Sequence, residues 1–187
     1  MQPKKWKLLS KKDVSPSKWF PIEQRKYELP NGEIVDNFYV TTLADSVHII
    51  SITKDKKVVL IQMYKQGTDE IMIQFPAGRF EDKHKNILDG AVKELEEETG
   101  IKVQESHLKK IGVLAAGSTK QTERVHFYIT TDVSFNSKQN LDDTEEIAVL
   151  SLSFLEMEEY IASGKIWDSH CIAGWELAKK KFPAIFE

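Results

Sequence analysis

The stretch that most limits what this chain can become is Lys93-Glu94-Leu95-Glu96-Glu97-Glu98-Thr99-Gly100, with four glutamates in five positions. Ile87, Leu88, Ala91, Val92 and Leu95 fall at helical spacing, so residues 86–99 are predicted to form a helix that Gly100 ends. At 3.6 residues per turn, Glu94, Glu97 and Glu98 share one face. Each like-charge pair at that spacing costs ~0.2–0.5 kcal/mol, and the negative end of the helix dipole adds to the penalty. Two arrangements relieve it. One is a solvated face with Asp89 to Lys93 and Lys93 to Glu97 pairs, and from the helix by itself this is the simpler reading. The other is a hard divalent cation such as Mg²⁺, which prefers carboxylate oxygen and retained water and can bridge a bound phosphate.

Composition narrows the field. The chain has 187 residues with 26 Lys plus Arg, 29 Asp plus Glu and a net charge of −3, which gives no basic surface for nucleic acid or an anionic membrane. A small-molecule site is the default. The single cysteine, Cys171, excludes an internal disulfide framework, and the histidines show no zinc spacing, so a reducing cytoplasm is the expected compartment. The N-terminal Met1-Gln2-Pro3-Lys4-Lys5-Trp6-Lys7 is basic without an apolar core behind it, and apolar runs such as Val58-Val59-Leu60-Ile61 fall far short of a membrane span.

Along the chain, residues 6–9, 22–29 and 33–40 read as short strands. Pro30-Asn31-Gly32 joins the last two, with Asn-Gly supplying positive φ angles. Apolar stretches at 46–52, 57–64 and 69–75 suit a sheet covered on both faces. Strands are expected again at 108–115, 123–131 and 147–154, and helices at 155–163 and 169–181. The glycines at 112 and 117 come within one residue of a P-loop. Ser118 stands where its lysine belongs, however, and a strand rather than a helix follows, so that reading is rejected.

With its surroundings included, the glutamate stretch resembles the Nudix box, G-x5-E-x7-R-E-U-x-E-E-x-G-U with U aliphatic. Phe75-Pro76-Ala77 lead into Gly78, and Lys93-Glu94-Leu95-x-Glu97-Glu98-x-Gly100-Ile101 closes the match. Pro76-Ala77-Gly78, Gly117-Ser118, Glu123 and Ile161-x-x-Gly164-x-Ile166-x-Asp168 extend the likeness to the ADP-ribose pyrophosphatase and nucleoside-diphosphate-sugar hydrolase branch, over nearly the whole chain. Two positions depart from the pattern. The first box glutamate is absent: His84 stands six residues after Gly78, and counting back from Gly100 the position holds Lys85, leaving Glu81 or Asp82 as substitutes. Lys93 replaces the box arginine, keeping the charge and losing the flat fork that fixes a neighbouring carboxylate.

The resemblance implies an α+β (mixed α/β) fold. A Nudix-type α-β-α sandwich with a mixed sheet would span residues 44–187, preceded by an antiparallel β appendage over residues 1–43. It implies a metal site of Glu94, Glu97, Glu98 and the Ala77 carbonyl, holding Mg²⁺ with Mn²⁺ as an alternative. The acidic loop Asp142-Asp143-Thr144-Glu145-Glu146 looks in isolation like a solvated turn. In this branch such a loop supplies the general base and a further ligand, which makes Glu145 the first choice, with Glu146 and Asp143 behind it and Glu97 sharing in the chemistry. Arg79 and Lys65 are candidates to neutralise a pyrophosphate and Gly117 and Ser118 to shape a pocket wall; of the appendage aromatics Trp6, Trp19, Phe20 and Tyr27, at least two are expected in its core and one, Trp19 first, to stack on a base. The implied enzyme is a homodimer with exchanged N-terminal strands that splits ADP-ribose or another nucleoside-diphosphate sugar into a nucleoside monophosphate and a sugar phosphate. The alternatives are a catalytically weakened nucleotide sensor and a hydrolase of dinucleoside polyphosphates or nucleoside triphosphates.

Overall fold

The computed structural model describes residues 2–81 and 84–187. Contacts divide the chain into one unit of residues 1–45 with 115–124, and a second of 46–114 with 125–187.

The first unit is a three-stranded antiparallel sheet in the order β1 (Lys7–Asp13), β2 (Ile22–Glu28), β3 (Ile34–Thr41). β1 is exposed along its whole length, and of the three strands only Val40 on β3 is fully buried. The hairpin between β2 and β3 forms where the sequence places it, with a different turn. Gly32 alone has a positive φ, 87°, while Asn31 contributes its side-chain oxygen to the Glu33 N–H at 3.1 Å. This is the three-residue loop with one left-handed position rather than the two-residue Asn-Gly turn. Segment 115–124 packs with this sheet through Thr41, whose N–H donates to the Lys120 carbonyl at 2.8 Å.

The second unit is built on a sheet with the path β10–β5–β4–β9–β8. It comprises β4 (Ser46–Thr53), β5 (Lys57–Lys65), β6 (Glu70–Gln74), β7 (Ala77–Arg79), β8 (Lys109–Ala115), β9 (Arg124–Val133) and β10 (Ile147–Ser153). β4 runs parallel to β9 and antiparallel to β5 and β7, so the sheet is mixed, as expected. Every residue of β4 is buried, which requires cover on both faces. Val47 and Ile49 point into a cluster with Ala91, Leu95, Ile101 and Tyr128. That cluster includes the apolar stripe of α1 (Ile87–Thr99). The helices α2 (Phe154–Ala162), α3 (Ser169–Lys181) and the short α4 (Pro183–Phe186) complete the chain. Asp168 caps α3 by accepting the Cys171 N–H at 2.6 Å, and Ile166 is fully buried, so the end of the late motif serves the fold. β7, α4 and a one-turn 3-10 segment at Glu105–His107 are the elements the sequence pattern did not reveal.

Candidate active site

α1 starts where Asn86 caps it, its Oδ1 accepting the Leu88 and Asp89 N–H groups at 2.7 and 3.0 Å. Leu95 anchors the helix in the core and thereby fixes the azimuth of the glutamates around it. Glu94, Glu97 and Glu98 come out together on a recess of about 150 Å³, shared with Ala77, Gly78 and Arg79 of β7 and with Glu145. Glu98 is only 3% exposed, and its carboxylate accepts the Ala77 N–H at 2.8 Å, tying the helix to the strand. Gly78 is required by close approach, since a Cβ there would fall on the Glu94 carboxylate.

The acidic loop reaches this recess because the open C-terminal carbonyls of α1 hold it. Gly100 ends the helix in the left-handed conformation, and its carbonyl accepts the N–H groups of Asn136 and Ser137 at 3.2 and 2.9 Å. The Asn140 N–H donates to the Glu97 carbonyl at 2.9 Å, and the Gln139 amide donates to the Glu98 carbonyl at 2.7 Å. Glu145 is then turned back on its own loop, one carboxylate oxygen accepting the Asp142 N–H at 3.2 Å.

Electrostatics single out Glu98. Burial pushes its carboxyl up to about 8, with the charges of Glu94 and Glu145 adding to the rise, while the Ala77 N–H and Lys65 oppose it. Among the described residues the carboxylates line the recess without closing into a coordination cluster. Yet the donor set is all hard oxygen, and a neighbouring divalent charge is what would return a buried carboxyl in this position to its ionised form. The residues therefore fit a divalent cation of the Mg²⁺ or Mn²⁺ kind.

A profile of the NUDIX domain matches residues 42–173, most of the chain. The chain belongs to the Nudix family. Membership places it among hydrolases, and the fold agrees: a solved structure described as an ADP compounds hydrolase superimposes with a TM-score of 0.84 over 98% of this chain and 97% of that one, at 19% identity. A methanol dehydrogenase activator from Bacillus methanolicus is 28% identical over 148 residues, 78% of this chain and 77% of the relative.

Of the residues singled out in the sequence, this Nudix recess gathers Ala77, Arg79, Glu94, Glu97, Glu98 and Glu145. Asp143 and Glu146 are not on its wall, and Glu146 instead borders a groove with Tyr64 and Ile71. Lys65 does not line it, although its charge is felt at Glu98. Ser118 lines a separate recess of about 330 Å³ within the N-terminal unit, together with Trp6, Arg25, Tyr27 and Phe38. Gly117 is crowded by the Gln121 side chain, and Trp19, 75% exposed, is outside that recess. Asp82 lies outside the described residues. Sequence reasoning named Trp6 and Tyr27 but missed Phe38 between them, and it missed Asn140 and Asp142 on the acidic recess; alternation along β2 and β3 carries no sign that the three rings meet edge to face at 5.8–6.2 Å.

Proposed function

We propose that the chain is a Mg²⁺-dependent hydrolase of the pyrophosphate bond in ADP-ribose or a related nucleoside-diphosphate sugar. The observation that carries this reading is the convergence of Glu94, Glu97, buried Glu98 and loop-borne Glu145 around Ala77-Gly78. Glu94, Glu97, Glu98 and the Ala77 carbonyl would hold the ion, with Glu145 as a further ligand. Bound there, it would supply Lewis-acid polarisation of the phosphate and an acidified water. Arg79, on the same wall, offsets pyrophosphate charge, and Lys65 adds long-range positive potential. Glu145, with its carboxylate oriented by the Asp142 N–H, accepts the proton of the attacking water; Asp143 and Glu146 stand behind it on the same loop.

Within the N-terminal unit, the recess of Trp6, Tyr27 and Phe38 beside Arg25 and Ser118 offers aromatic surface of the kind a purine stacks on, and Trp19 lies outside it. The exposed Leu8, Leu9, Ile34 and Tyr39 of β1 and β3 favour a homodimer with exchanged N-terminal strands. A reducing cytoplasm suits the single, buried Cys171, and no described helix is long and apolar enough to cross a membrane.

The test is release of nucleoside monophosphate from ADP-ribose and several nucleoside-diphosphate sugars with Mg²⁺, against an EDTA control. Metal-dependent release supports the reading; binding without products refutes turnover and leaves a nucleotide sensor. The relative named a methanol dehydrogenase activator favours one second reading, a Nudix protein that modulates a partner dehydrogenase. Stimulation of such a dehydrogenase in a mixed assay separates it from the first.

A further inference from the structure

The box pattern expects a carboxylate eight residues before its cation, and that register holds Lys85, eight before Lys93. The structure supplies a carboxylate from elsewhere. Asp89, one helical turn before Lys93, accepts both the Lys85 N–H at 3.0 Å and the Lys93 ammonium at 2.9 Å through the same Oδ2. Asp89 is 8% exposed and the Lys93 side chain 40%, so the pair stands at the surface with its acidic end shielded by the chain.

A second fastening stands beside it. His84 is buried against Gly90, where a Cβ would come within 3.1 Å of its Nδ1, and that nitrogen accepts the Glu81 N–H at 3.1 Å. Glu81 in turn lies on the wall of the acidic recess. Both ends of the loop described here are thus tied to the first turn of α1.

The direction of Lys93 matters most. Lys93 also lies one turn before Glu97, so two acids compete for its ammonium, Asp89 behind it and Glu97 ahead. Pairing with Glu97 would place a positive charge among the very carboxylates that a cation needs. The structure shows the ammonium on Asp89.

We propose that Asp89 is the positioning residue that takes over from the missing box carboxylate: it clamps the loop to α1 and holds Lys93 away from Glu97, keeping the Glu94, Glu97 and Glu98 face open to a divalent ion. This rests on the metal-site reading above, and it concerns the order of the site, not the identity of the substrate.

The experiment is a Mn²⁺ titration of the full chain followed by the electron paramagnetic resonance of free Mn²⁺, which needs no substrate. Far-UV circular dichroism checks folding. Asp89→Asn keeps the shape and removes the charge, and is expected to weaken Mn²⁺ binding by about tenfold, the low end for loss of an outer-shell partner. Adding Lys93→Met to that variant is expected to bring binding back to the level of Lys93→Met alone, because the competing ammonium has gone. A purely structural role for Asp89 would not be rescued in this way. Asp89→Asn binding Mn²⁺ like the wild type overturns the proposal, and so does a loss that persists in the double variant. If Asp89→Asn does not fold, Lys93→Met alone decides: binding equal to or tighter than wild type supports the latch, and weaker binding overturns it by making the ammonium itself part of the site. Wild-type protein that shows this Mn²⁺ pattern yet hydrolyses no nucleoside-diphosphate sugar would sink the reaction and leave the latch standing. Wild-type protein that binds no Mn²⁺ would sink the latch.

Discussion

β1 and β4 are strands of similar length with opposite environments. β1 is exposed at all seven positions, whereas β4 is buried at all eight. The difference teaches where burial decides the fold and where ladder bonds and surface pairs must hold it. β4 is apolar at Val47, Ile49, Ile50 and Ile52, and each of these removes its side chain from water for ~1.5–3 kcal/mol. β1 gains little of this and is held by ladder bonds and by surface pairs such as Lys7 with Glu28 at 3.3 Å, worth ~0–1 kcal/mol. The largest effect should therefore come from truncating the buried strand. Ile49→Ala is expected to cost ~2–5 kcal/mol in urea unfolding, and Lys12→Ala on β1 no more than ~0.5 kcal/mol. Equal costs for the two would erase the contrast.

The next test moves from packing to chemistry within the buried unit. Glu98→Gln retains the size of the side chain and removes the charge that a cation requires. It is expected to lower turnover about a hundredfold to a thousandfold, with the apo protein at least as stable as wild type at pH 8. The sign follows from burial: a carboxyl held up at about 8 in the folded state and ordinary when unfolded loses folded-state stability as pH rises from the ordinary carboxylate range through 8. Unchanged turnover in this variant would remove Glu98 from the site.

Much of this was legible beforehand, for reasons the two strands make plain. Burial on both faces leaves a continuous apolar signature, so β4, β5 and α1 could be placed from their residues, and the register of Glu94, Glu97 and Glu98 followed from Leu95. Side chains that meet through tertiary geometry leave no such trace. Asn140 reaches the site because the C-terminal carbonyls of α1 bind its loop, through its own N–H and the Gln139 amide. Asp89 looked like half of an ordinary surface pair until the Lys85 N–H was seen on the same oxygen. In the exposed sheet, the pairing of Arg25 with Phe38 across β2 and β3 and a register shift before Tyr27 decide which rings meet, and neither is written in the local pattern.

A pH scan sharpens the contrast at intermediate size. His48 on β4 is pushed down to about 3 by burial first, and then by the nearby His170 and Lys65 charges; its ring packs 5.3 Å from Phe127 and 5.5 Å from His170. Because the folded state holds it neutral while the unfolded chain protonates near 6.5, its contribution to stability is complete above 6.5 and falls as pH drops towards 3. Between those limits the slope approaches about 1.4 kcal/mol per pH unit. His48→Leu is expected to flatten the acid arm of a urea-midpoint profile between pH 6 and 4, and a parallel profile would count against the buried neutral ring.

The smallest expected effect asks whether the exposed sheet contributes to function despite its thin packing. Trp6 meets Tyr27 at 5.9 Å and Phe38 at 6.2 Å, both edge to face, leaving aromatic surface on the recess beside Arg25 and Ser118. Base stacking on such a ring contributes ~1–3 kcal/mol, so Trp6→Ala should raise KM for ADP-ribose about tenfold. A ring that only stacks on a base takes no part in the bond change, so kcat should hold, the pattern expected when ground state and transition state lose the same binding. Trp19→Ala is the matched control, an equally large ring at 75% exposure outside the recess, and should shift KM by less than about twofold. If the two variants exchange these results, Trp19 is the stacking residue and the recess of Trp6, Tyr27 and Phe38 is only the small core of the N-terminal sheet. If Trp6→Ala lowers kcat along with binding, the ring shapes the transition state, and its reading as a stacking group alone fails.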